Sequence, residues 1–242
     1  MHRFFVDGPL SVGATVHVNA LAQQLAHVLR MQVDDEVVLL DGSGQEYHSR
    51  IAYLDRRAAA VEVLGAQTCL AEPRQILTLY QCSLKQDKFE WVLQKGTELG
   101  ASRFVPVISE RSIVRPAAAL LGKYPRWQAI VREAAEQCGR ARVPQIAPPC
   151  EWREAVAEAH GLRLLPWECA QEESTLHATL QKEFPNFSDI AILIGPEGGI
   201  TTPEARLASD QGWQIVSLGP RILRAETAAL AAIALWSGVA GA

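Results

Sequence analysis

The stretch Ala191-Ile192-Leu193-Ile194-Gly195-Pro196-Glu197-Gly198-Gly199 decides the fold class. Its first four residues are all apolar, which predicts a strand buried on both faces, as the central strands of parallel sheets are. Three glycines follow within five residues, and glycine permits both a positive φ and a close approach of the backbone to a ligand. The stretch therefore predicts an α/β fold. Its loop is either an ordinary turn into a helix or a binding site, and taken alone it leaves both interpretations open.

Strand and helix patterns alternate on both sides of this stretch, from Gln75 onward. Strands are expected at residues 76–81, 104–108, 162–165, 190–194 and 214–218, and helices at 87–99, 125–138, 151–160, 203–211 and 226–239, with one more helix before residue 190. Alternation of this kind predicts a mostly parallel sheet covered by helices on both faces.

The first 70 residues follow a different pattern, with short strands separated by tight turns. Strands are expected at residues 12–18, 36–40, 47–54 and 59–64, and one short helix around 21–29. Strands this short predict a small β-barrel. Pro73 and its polar neighbours suit a linker, so the chain is expected to divide into a barrel domain, residues 1–72, and an α/β domain, residues 73–242.

Composition argues against several classes of protein. No apolar run approaches the roughly 20 residues that span a bilayer, and the first residues lack the pattern of a signal peptide. The five cysteines form no Cys-x-x-Cys pair, so neither a disulfide framework nor a metal site is expected, and a reducing, cytoplasmic location is favoured. The net charge is −4, but residues 76–145 hold 11 basic and 6 acidic groups. They form either a phosphate-attracting face or a set of solvated helix faces.

Ligands of open parallel sheets bind outside the carboxyl ends of the strands, so the loops at those ends are the candidate sites. Three stand out: residues 165–168, 195–199 and 218–227. The sequence has no phosphate loop of the ATPase type, no Gly-x-Gly-x-x-Gly after the first strand of a βαβ unit, and no hydrolase or zinc-protease motif. A ligand without a phosphate chain, held mainly by the backbone of glycine-containing loops, fits better.

Residues 194–199, followed by 217–228, closely resemble the SPOUT-class methyltransferases that modify N3 of one uridine in 16S ribosomal RNA, the ribosomal RNA small subunit methyltransferase E family. The resemblance covers nearly the whole chain. Residues 2–5 and 27–31 are similar to the family's amino-terminal domain, and residues 94–100, 109–112 and 136–140 to its middle motifs. Residues 165–168 match less clearly, so site assignments there are weaker.

The resemblance implies a carboxyl-terminal α/β domain with a deep trefoil knot, a rare exception to the rule that chains do not knot, and a small amino-terminal PUA-like β-barrel that binds RNA. It implies S-adenosylmethionine as cofactor, no metal, a homodimer, and 16S ribosomal RNA within the 30S subunit as partner. The implied cofactor-binding residues are Leu165, Pro166, Ile194, Gly195, Pro196, Glu197, Gly198, Gly199, Leu218, Gly219, Leu223, Arg224, Ala225, Glu226, Thr227 and Ala228.

Methylation at N3 of uracil needs the imide proton to leave and the charge that develops on O2 and O4 to be stabilised. Arg224 is the first candidate to steady the uracilate or a phosphate. Glu226 is the first candidate to take the proton or orient the cofactor, although a carboxylate there also suits a helix amino terminus. Glu98 is either a second-rank catalytic candidate or part of a structural ion pair. RNA contacts are expected from Arg3, Arg30, Arg111, Gln137 and Arg140.

Two other functions stay open on the sequence. The same fold supports 2′-O methylation of ribose in transfer or ribosomal RNA, although the motifs favour the base-modifying family. The other alternative is a non-catalytic RNA-binding protein with the same fold, but it leaves the intact cofactor loops without a role. Phe4 and Phe5 also have two interpretations, stacking on RNA or packing in the barrel core.

Overall fold

The structure, a computed structural model, describes residues 1–85, 87–170 and 174–241. The chain divides into two compact units. Unit 1 consists of Met1–Glu72 and Ala135–Val143, and unit 2 of Pro73–Ala134 and Pro144–Ala242. Nothing in the sequence pattern indicates that residues 135–143 group with the amino-terminal unit.

Unit 1 contains a five-stranded sheet with the strand order β1-β3-β4-β5-β2. The strands are β1 (His2–Phe5), β2 (Thr15–His17), β3 (Glu36–Leu40), β4 (Gln45–Leu54) and β5 (Ala59–Thr68). β1 pairs with β3 in parallel, and the other pairings are antiparallel. The sequence did not predict β1 as a strand. The helix expected around residues 21–29 is a 3₁₀ turn, Asn19–Leu21, and a π-helical segment, Gln24–Val28.

Phe4 and Phe5 lie in the core of unit 1, with 3% and 4% of their surface exposed. Adjacent strand residues point to opposite faces of a sheet, so the two rings enter different clusters. Phe4 packs with the buried side chains of the 19–28 segment and of β3 to β5, and Phe5 with Val38, Leu40 and Ala135. The structure therefore favours packing over RNA stacking for both rings.

Unit 2 contains a sheet of seven strands in the order β12-β10-β11-β6-β7-β8, with β9 beside β7. The strands are β6 (Ile76–Cys82), β7 (Arg103–Ile108), β8 (Gln145–Ile146), β9 (Cys150–Glu151), β10 (Leu162–Pro166), β11 (Asp189–Ile194) and β12 (Gln214–Val216). The helices are α1 (Lys88–Glu98), α2 (Tyr124–Cys138), α3 (Trp152–Glu158), α4 (Leu176–Glu183), α5 (Thr202–Asp210) and α6 (Ala225–Ala240). The last turn of α2, from Ala135 onward, belongs to unit 1. All pairings are parallel. The predicted α/β class with a mostly parallel sheet is confirmed.

Helix ends in unit 2 fall where the sequence signals predicted them. α1 is followed by Gly100, whose φ of +99° favours glycine. α5 starts with a capping box in which Thr201 and Glu204 exchange side-chain hydrogen bonds with the backbone, and Pro203 occupies its first turn. Because these signals lie within a few residues of the helix ends, the sequence alone predicts where the helices of this unit begin and end.

Helices cover both faces of the sheet. On one face, Tyr80 and Val107 pack with Trp152 of α3 and Ala205 of α5. On the other, α1 and α6 pack against each other, and a Cβ added to Gly96 of α1 would lie 2.8 Å from the Phe104 ring. This close packing holds α1 firmly against the sheet, and the amino end of α1 reaches the carboxyl edge of that sheet.

Two features are absent from the described part of the chain, a membrane-spanning helix and a metal-binding cluster. None of its helices combines the length and the apolar character that crossing a bilayer requires. Within residues 1–85, 87–170 and 174–241, no group of three or more His, Cys, Asp and Glu side chains is arranged to hold a metal ion.

Candidate functional site

β12, β10 and β11 are neighbours in the sheet, and all three run in the same direction. Their carboxyl ends therefore meet at one edge, where the three loops selected from the sequence lie side by side. The loops enclose a cavity of about 500 Å³, a volume within the range of small-molecule sites. Its lining consists of Lys88, residues 166–168, 194–200, 217–219 and 221–225, and Ala228.

The loop after β11, residues 195–199, is both a turn and a wall of the cavity. The Gly199 N–H donates to the Pro196 carbonyl at 3.0 Å, and Gly199 has a φ of +76°. A Cβ at Gly195 would lie 2.6 Å from Cγ1 of Ile200, closer than real contacts allow. Glycine is therefore required here by the backbone and the packing, and its bare backbone faces the cavity. The turn is confirmed, and ligand binding by this loop stays a prediction that its place in the cavity wall supports.

The loop after β12 supplies the opposite wall. The Gly219 N–H donates to Oγ of Ser217 at 3.1 Å, and Gly219 has a φ of +105°. Arg224 is the N-cap residue of α6 and is exposed at the cavity. Ile222, 88% exposed, lies on the same lip. This wall thus presents backbone groups, apolar side chains and the guanidinium of Arg224.

The loop after β10 joins the other two. The Trp167 N–H donates to the carbonyl of Val216, and its indole Nε1 donates to the carbonyl of Ile200 at 3.3 Å. Glu168 lies beside Gly199, since a Cβ there would be 2.8 Å from Oε1 of Glu168. The sequence marked residues 165–168 as a candidate loop but assigned cofactor binding only to Leu165 and Pro166, whereas Trp167 and Glu168 also line the cavity.

Lys88, the first residue of α1, enters the cavity from outside the three loops. Its ammonium lies 3.3 Å from Oε1 of Glu226 and 3.6 Å from Oε1 of Glu197. Oε1 of Glu197 also accepts the backbone N–H of Lys85 at 3.0 Å. Oε2 of Glu226 is buried without a hydrogen-bond partner among the described residues. Lys88 was not predicted from the sequence, because no local motif links it to carboxylates so far along the chain.

Most of the expected cofactor-binding residues line the cavity. Three do not: the Leu165 side chain is fully buried in the core behind it, and Glu226 and Thr227 are outside its lining. Glu226 forms an ion pair with Lys88, which does line the cavity.

Two of the three catalytic candidates are close together. Arg224 lines the cavity, and Glu226, in the first turn of the same helix, pairs with the lining residue Lys88. Glu98 is at the opposite end of α1, about 15 Å along the helix axis from Lys88, and pairs with Lys95 at 2.7 Å. Of the two roles expected for Glu98, this position favours the structural ion pair.

The expected RNA contacts separate into exposed and enclosed side chains. Arg111 is exposed at the glycine loop, where Nη1 donates to the carbonyl of Gly198 at 3.0 Å. Arg30 and Gln137, both of unit 1, are exposed. Arg3, also of unit 1, is half-buried against Glu46.

Arg140 corrects the sequence expectation. It is 3% exposed, and its Nη2 donates to Oε2 of Glu72 at 3.0 Å. The same carboxylate accepts the backbone N–H groups of Ala141 and Arg142 through Oε1. A guanidinium so enclosed does not reach an RNA backbone, so Arg140 is a structural residue that ties residues 135–143 into unit 1.

A second cavity, of about 1,070 Å³, lies between the amino ends of α3 and α5. Its rim carries three arginines and four acidic residues: Arg115, Arg153, Arg206, Glu110, Glu151, Glu204 and Asp210. The Glu204 carboxylate already accepts hydrogen bonds from the backbone N–H and the hydroxyl of Thr201 at the amino-terminal cap of α5. No glycine loop borders this cavity among the described residues, so its walls lack the bare backbone of the first. The first cavity is the better candidate for a ligand bound by backbone groups.

Cysteine chemistry is not supported by the environment of the thiols. Burial raises the pKa of the Cys82 thiol, and it raises that of Cys150 to about 11, so both stay protonated at neutral pH. Cys169 is exposed in the loop after β10 but does not line the cavity. The cavity's ionisable lining groups are Lys88, Glu168, Glu197, Arg221 and Arg224. Mixed charges beside apolar walls suit a zwitterionic ligand with an uncharged ring system.

Known RNA methyltransferases are similar to this chain in sequence. The sequence profile of the RNA methyltransferase domain matches residues 71–237, and that of the RNA methyltransferase PUA domain matches residues 25–64. The ribosomal RNA small subunit methyltransferase E of Synechocystis sp. is 35% identical over 96% of this chain and 76% of its own length.

Two solved structures are similar over nearly the whole chain. The ribosomal RNA small subunit methyltransferase E of Neisseria gonorrhoeae, bound to S-adenosyl methionine, superposes with a TM-score of 0.84 at 37% identity, covering 97% of this chain and 95% of that one. A methyltransferase from Legionella pneumophila, in complex with the same cofactor, superposes with a TM-score of 0.83 at 29% identity, covering 98% and 96%.

Proposed function

The chain belongs to the ribosomal RNA small subunit methyltransferase E family, and we propose that it transfers the methyl group of S-adenosylmethionine to N3 of one uridine in 16S ribosomal RNA. The observation that carries the proposal is the meeting of three loops, after β10, β11 and β12, around one cavity of about 500 Å³. That cavity is at the carboxyl edge of a parallel sheet, where open α/β folds bind their ligands.

The cofactor is held mainly by backbone groups. The backbone of residues 195–199 lines the cavity, and glycine is required at Gly195 and Gly198 because a side chain there would clash with Ile200 or Arg111. Pro166, Ile194, Leu218, Leu223, Ala225 and Ala228 supply apolar surface. This combination matches a ligand that has an adenosine ring system and an amino-acid end but no phosphate chain. Bound there, S-adenosylmethionine supplies an electrophilic methyl group on a sulfonium.

The side-chain chemistry falls to groups that line the cavity. Arg224 is exposed on the lip and stabilises the negative charge that develops on the uracil oxygens as N3 loses its proton. Two carboxylates line the cavity, Glu168 and Glu197, and Glu197 is engaged by Lys88 and the Lys85 N–H. We assign proton acceptance from N3 to Glu168. Glu226, paired with Lys88, orients the cofactor site and does not take the proton.

RNA reaches the cavity past exposed basic side chains. Arg111 lies at the glycine loop, with Arg221 on the facing lip. In unit 1, Arg30 and Gln137 are exposed, and Arg3 is half-buried. These contacts are mainly to phosphates, so they position the RNA, whereas the cavity selects the base.

The architecture that we propose has an RNA-binding PUA-like barrel in residues 1–72 and a knotted methyltransferase domain in residues 73–242. Support for the knot comes from hydrogen bonds on both sides of residues 216–217. The Val216 carbonyl accepts the N–H of Trp167, and Ser217 exchanges backbone hydrogen bonds with Ser174 and Leu176. The segment that leads to α6 is thus flanked by both ends of the loop after β10.

The surface of α6 favours a homodimer. Its outward side is almost entirely small and apolar, with half-buried Leu230 and Leu235 and exposed Ala234 and Gly238. Trp91 on the adjacent α1 is 50% exposed. A second copy of the chain would cover this apolar face, and light scattering measures the resulting mass. We place the enzyme in the cytoplasm, where 30S subunits assemble and where the unpaired state of its five cysteines is stable.

The test is incubation with labelled S-adenosylmethionine and 30S subunits from a strain that lacks the modification, followed by mass mapping of the labelled nucleoside. We expect N3-methyluridine in 16S RNA, at a higher yield from assembled subunits than from free RNA. A label on a ribose 2′ oxygen would replace the proposal with the ribose-modifying alternative. No transfer and no heat of cofactor binding would leave a non-catalytic RNA-binding protein.

A further inference from the structure

We propose that Lys88 is a positioning residue that couples the two principal walls of the cofactor cavity through one ammonium group. It pairs with Glu197 in the loop after β11 and with Glu226 at the start of α6. The proposal rests on the proposed function, because it treats this cavity as the S-adenosylmethionine site. It adds a residue, and a division of labour, that the sequence motifs do not indicate.

The position of Lys88 is fixed by the helix that carries it. The next residues of α1, Phe89, Val92 and Leu93, are buried against the sheet, and α1 also packs on α6. The lysine stem therefore projects from a rigid base. Its ammonium lies 3.3 Å from one carboxylate and 3.6 Å from the other. One cation between two acidic groups holds them closer together than either would stay alone.

Removing this cation leaves two carboxylates that repel each other. The side chains of Glu197 and Glu226 are 21% and 15% exposed, so water screens the repulsion only partly. Oε2 of Glu226 has no hydrogen bond within the described residues, which makes its carboxylate especially dependent on the lysine. The expected relaxation is a separation of the 195–199 loop from the start of α6, which widens the cavity.

Helix α1 provides its own control in the pair of Lys95 with Glu98. That pair is shorter, 2.7 Å, and its side chains have similar exposure, 31% and 27%. It joins residues three apart on one helix, so no loop position depends on it. A pair of this kind contributes little.

The experiment compares Lys88→Met, Lys88→Arg and Lys95→Met in the full chain. Calorimetry gives the Kd for S-adenosylmethionine, and turnover on 30S subunits gives KM and kcat. We expect Lys88→Met to raise Kd and KM by about tenfold or more, because removing the shared cation leaves two partly buried carboxylates that repel each other. The change in kcat should be smaller. Lys88→Arg should recover most of the affinity, and Lys95→Met should stay within about twofold of the parent.

Glu197→Gln and Glu226→Gln separate the bridge from direct ligand contact. If Lys88 acts as a bridge, each glutamine variant weakens cofactor binding. In the double variant Glu197→Gln with Lys88→Met, the increase in Kd should be smaller than the product of the two single increases, because the neutral glutamine at position 197 no longer repels Glu226. If Lys88→Met weakens binding while both glutamine variants bind as the parent does, the lysine contacts the cofactor itself and the bridge is overturned. Unchanged binding in Lys88→Met overturns it as well.

Failure of the proposed function has a different signature. In that case the parent chain gives no heat with S-adenosylmethionine, whatever the variants do. Thermal unfolding still tests whether Lys88 joins the two segments. If it does, Tm should fall further in Lys88→Met than in Lys95→Met. Equal values of Tm would contradict it.

Discussion

The two ends of α1 carry ion pairs that look alike in isolation and differ in what they connect. At the amino end, which we call the cavity side, Lys88 meets Glu197 and Glu226, carboxylates from two other segments of unit 2. At the carboxyl end, the far side, Lys95 meets Glu98 within one turn of the same helix. The sequence motifs point to Glu98 and give no sign of Lys88. Local motifs thus identify pairs within one element, whereas the fold brings together residues that are far apart in the chain.

The largest effect on the cavity side is expected from Glu168→Gln. If Glu168 takes the N3 proton, the variant loses about 10²- to 10⁴-fold in kcat, while its Kd for S-adenosylmethionine stays close to that of the parent because the amide keeps the shape of the carboxylate. Single-turnover methylation of 30S subunits measures the chemical step. A variant with normal kcat would remove Glu168 from the reaction and reopen the search for the base.

Arg224→Ala should follow, with a loss of about 10²- to 10³-fold in kcat, since a donor to the developing uracilate charge is removed. The exposed Arg153 on α3, remote from the lining of this cavity, supplies the control Arg153→Ala. Steady-state kinetics with both variants checks the contrast. Equal rates for the two would mean that Arg224 acts only as a surface charge.

Gly195→Ala tests the cavity wall itself. The added methyl group would lie 2.6 Å from Cγ1 of Ile200, so the loop must shift, at a cost of about 1–3 kcal/mol in the free energy of unfolding. Cofactor binding should weaken with it. Gly122→Ala is the control, because a Cβ there meets nothing within 4 Å. Urea unfolding and calorimetry on both variants measure the two effects, and a Gly195→Ala chain that behaved like its control would contradict the close packing.

The smallest effect is expected on the far side, from Glu98→Gln. The exposed pair with Lys95 contributes at most about 1 kcal/mol to stability, and kcat/KM should stay within about twofold of the parent because Glu98 is remote from the cavity. A loss as large as that of Glu168→Gln would restore the catalytic role suggested by sequence and break the comparison between the two ends of α1.

The elements of unit 2 were predictable because their signals are local. The apolar run before Gly195 predicted β11, and Thr201 with Pro203 predicted the start of α5. Each depends only on neighbours in the chain, through periodicity, capping or the φ that glycine permits. The glycine loop and Arg224 were found for the same reason, since each is part of a contiguous motif.

The rest depends on contacts between distant residues. The short strand β1 has too few residues to show alternation, and it forms through parallel pairing with β3. The sequence predicts a surface position for Arg140, but its side chain is buried in unit 1, where it pairs with Glu72. Lys88 gains its role only because the sheet order places β11 and the start of α6 beside the same helix end. Pairing partners, and with them the charges that matter, are set by the tertiary fold.

The most direct measurement is a crystal structure of the chain with S-adenosylmethionine. We expect one cofactor per chain in the cavity of about 500 Å³, contacting the backbone of residues 195–199 and 218–225, with its methyl group toward the lip that carries Arg224. The cofactor in the larger cavity between α3 and α5, or in neither, would contradict this expectation.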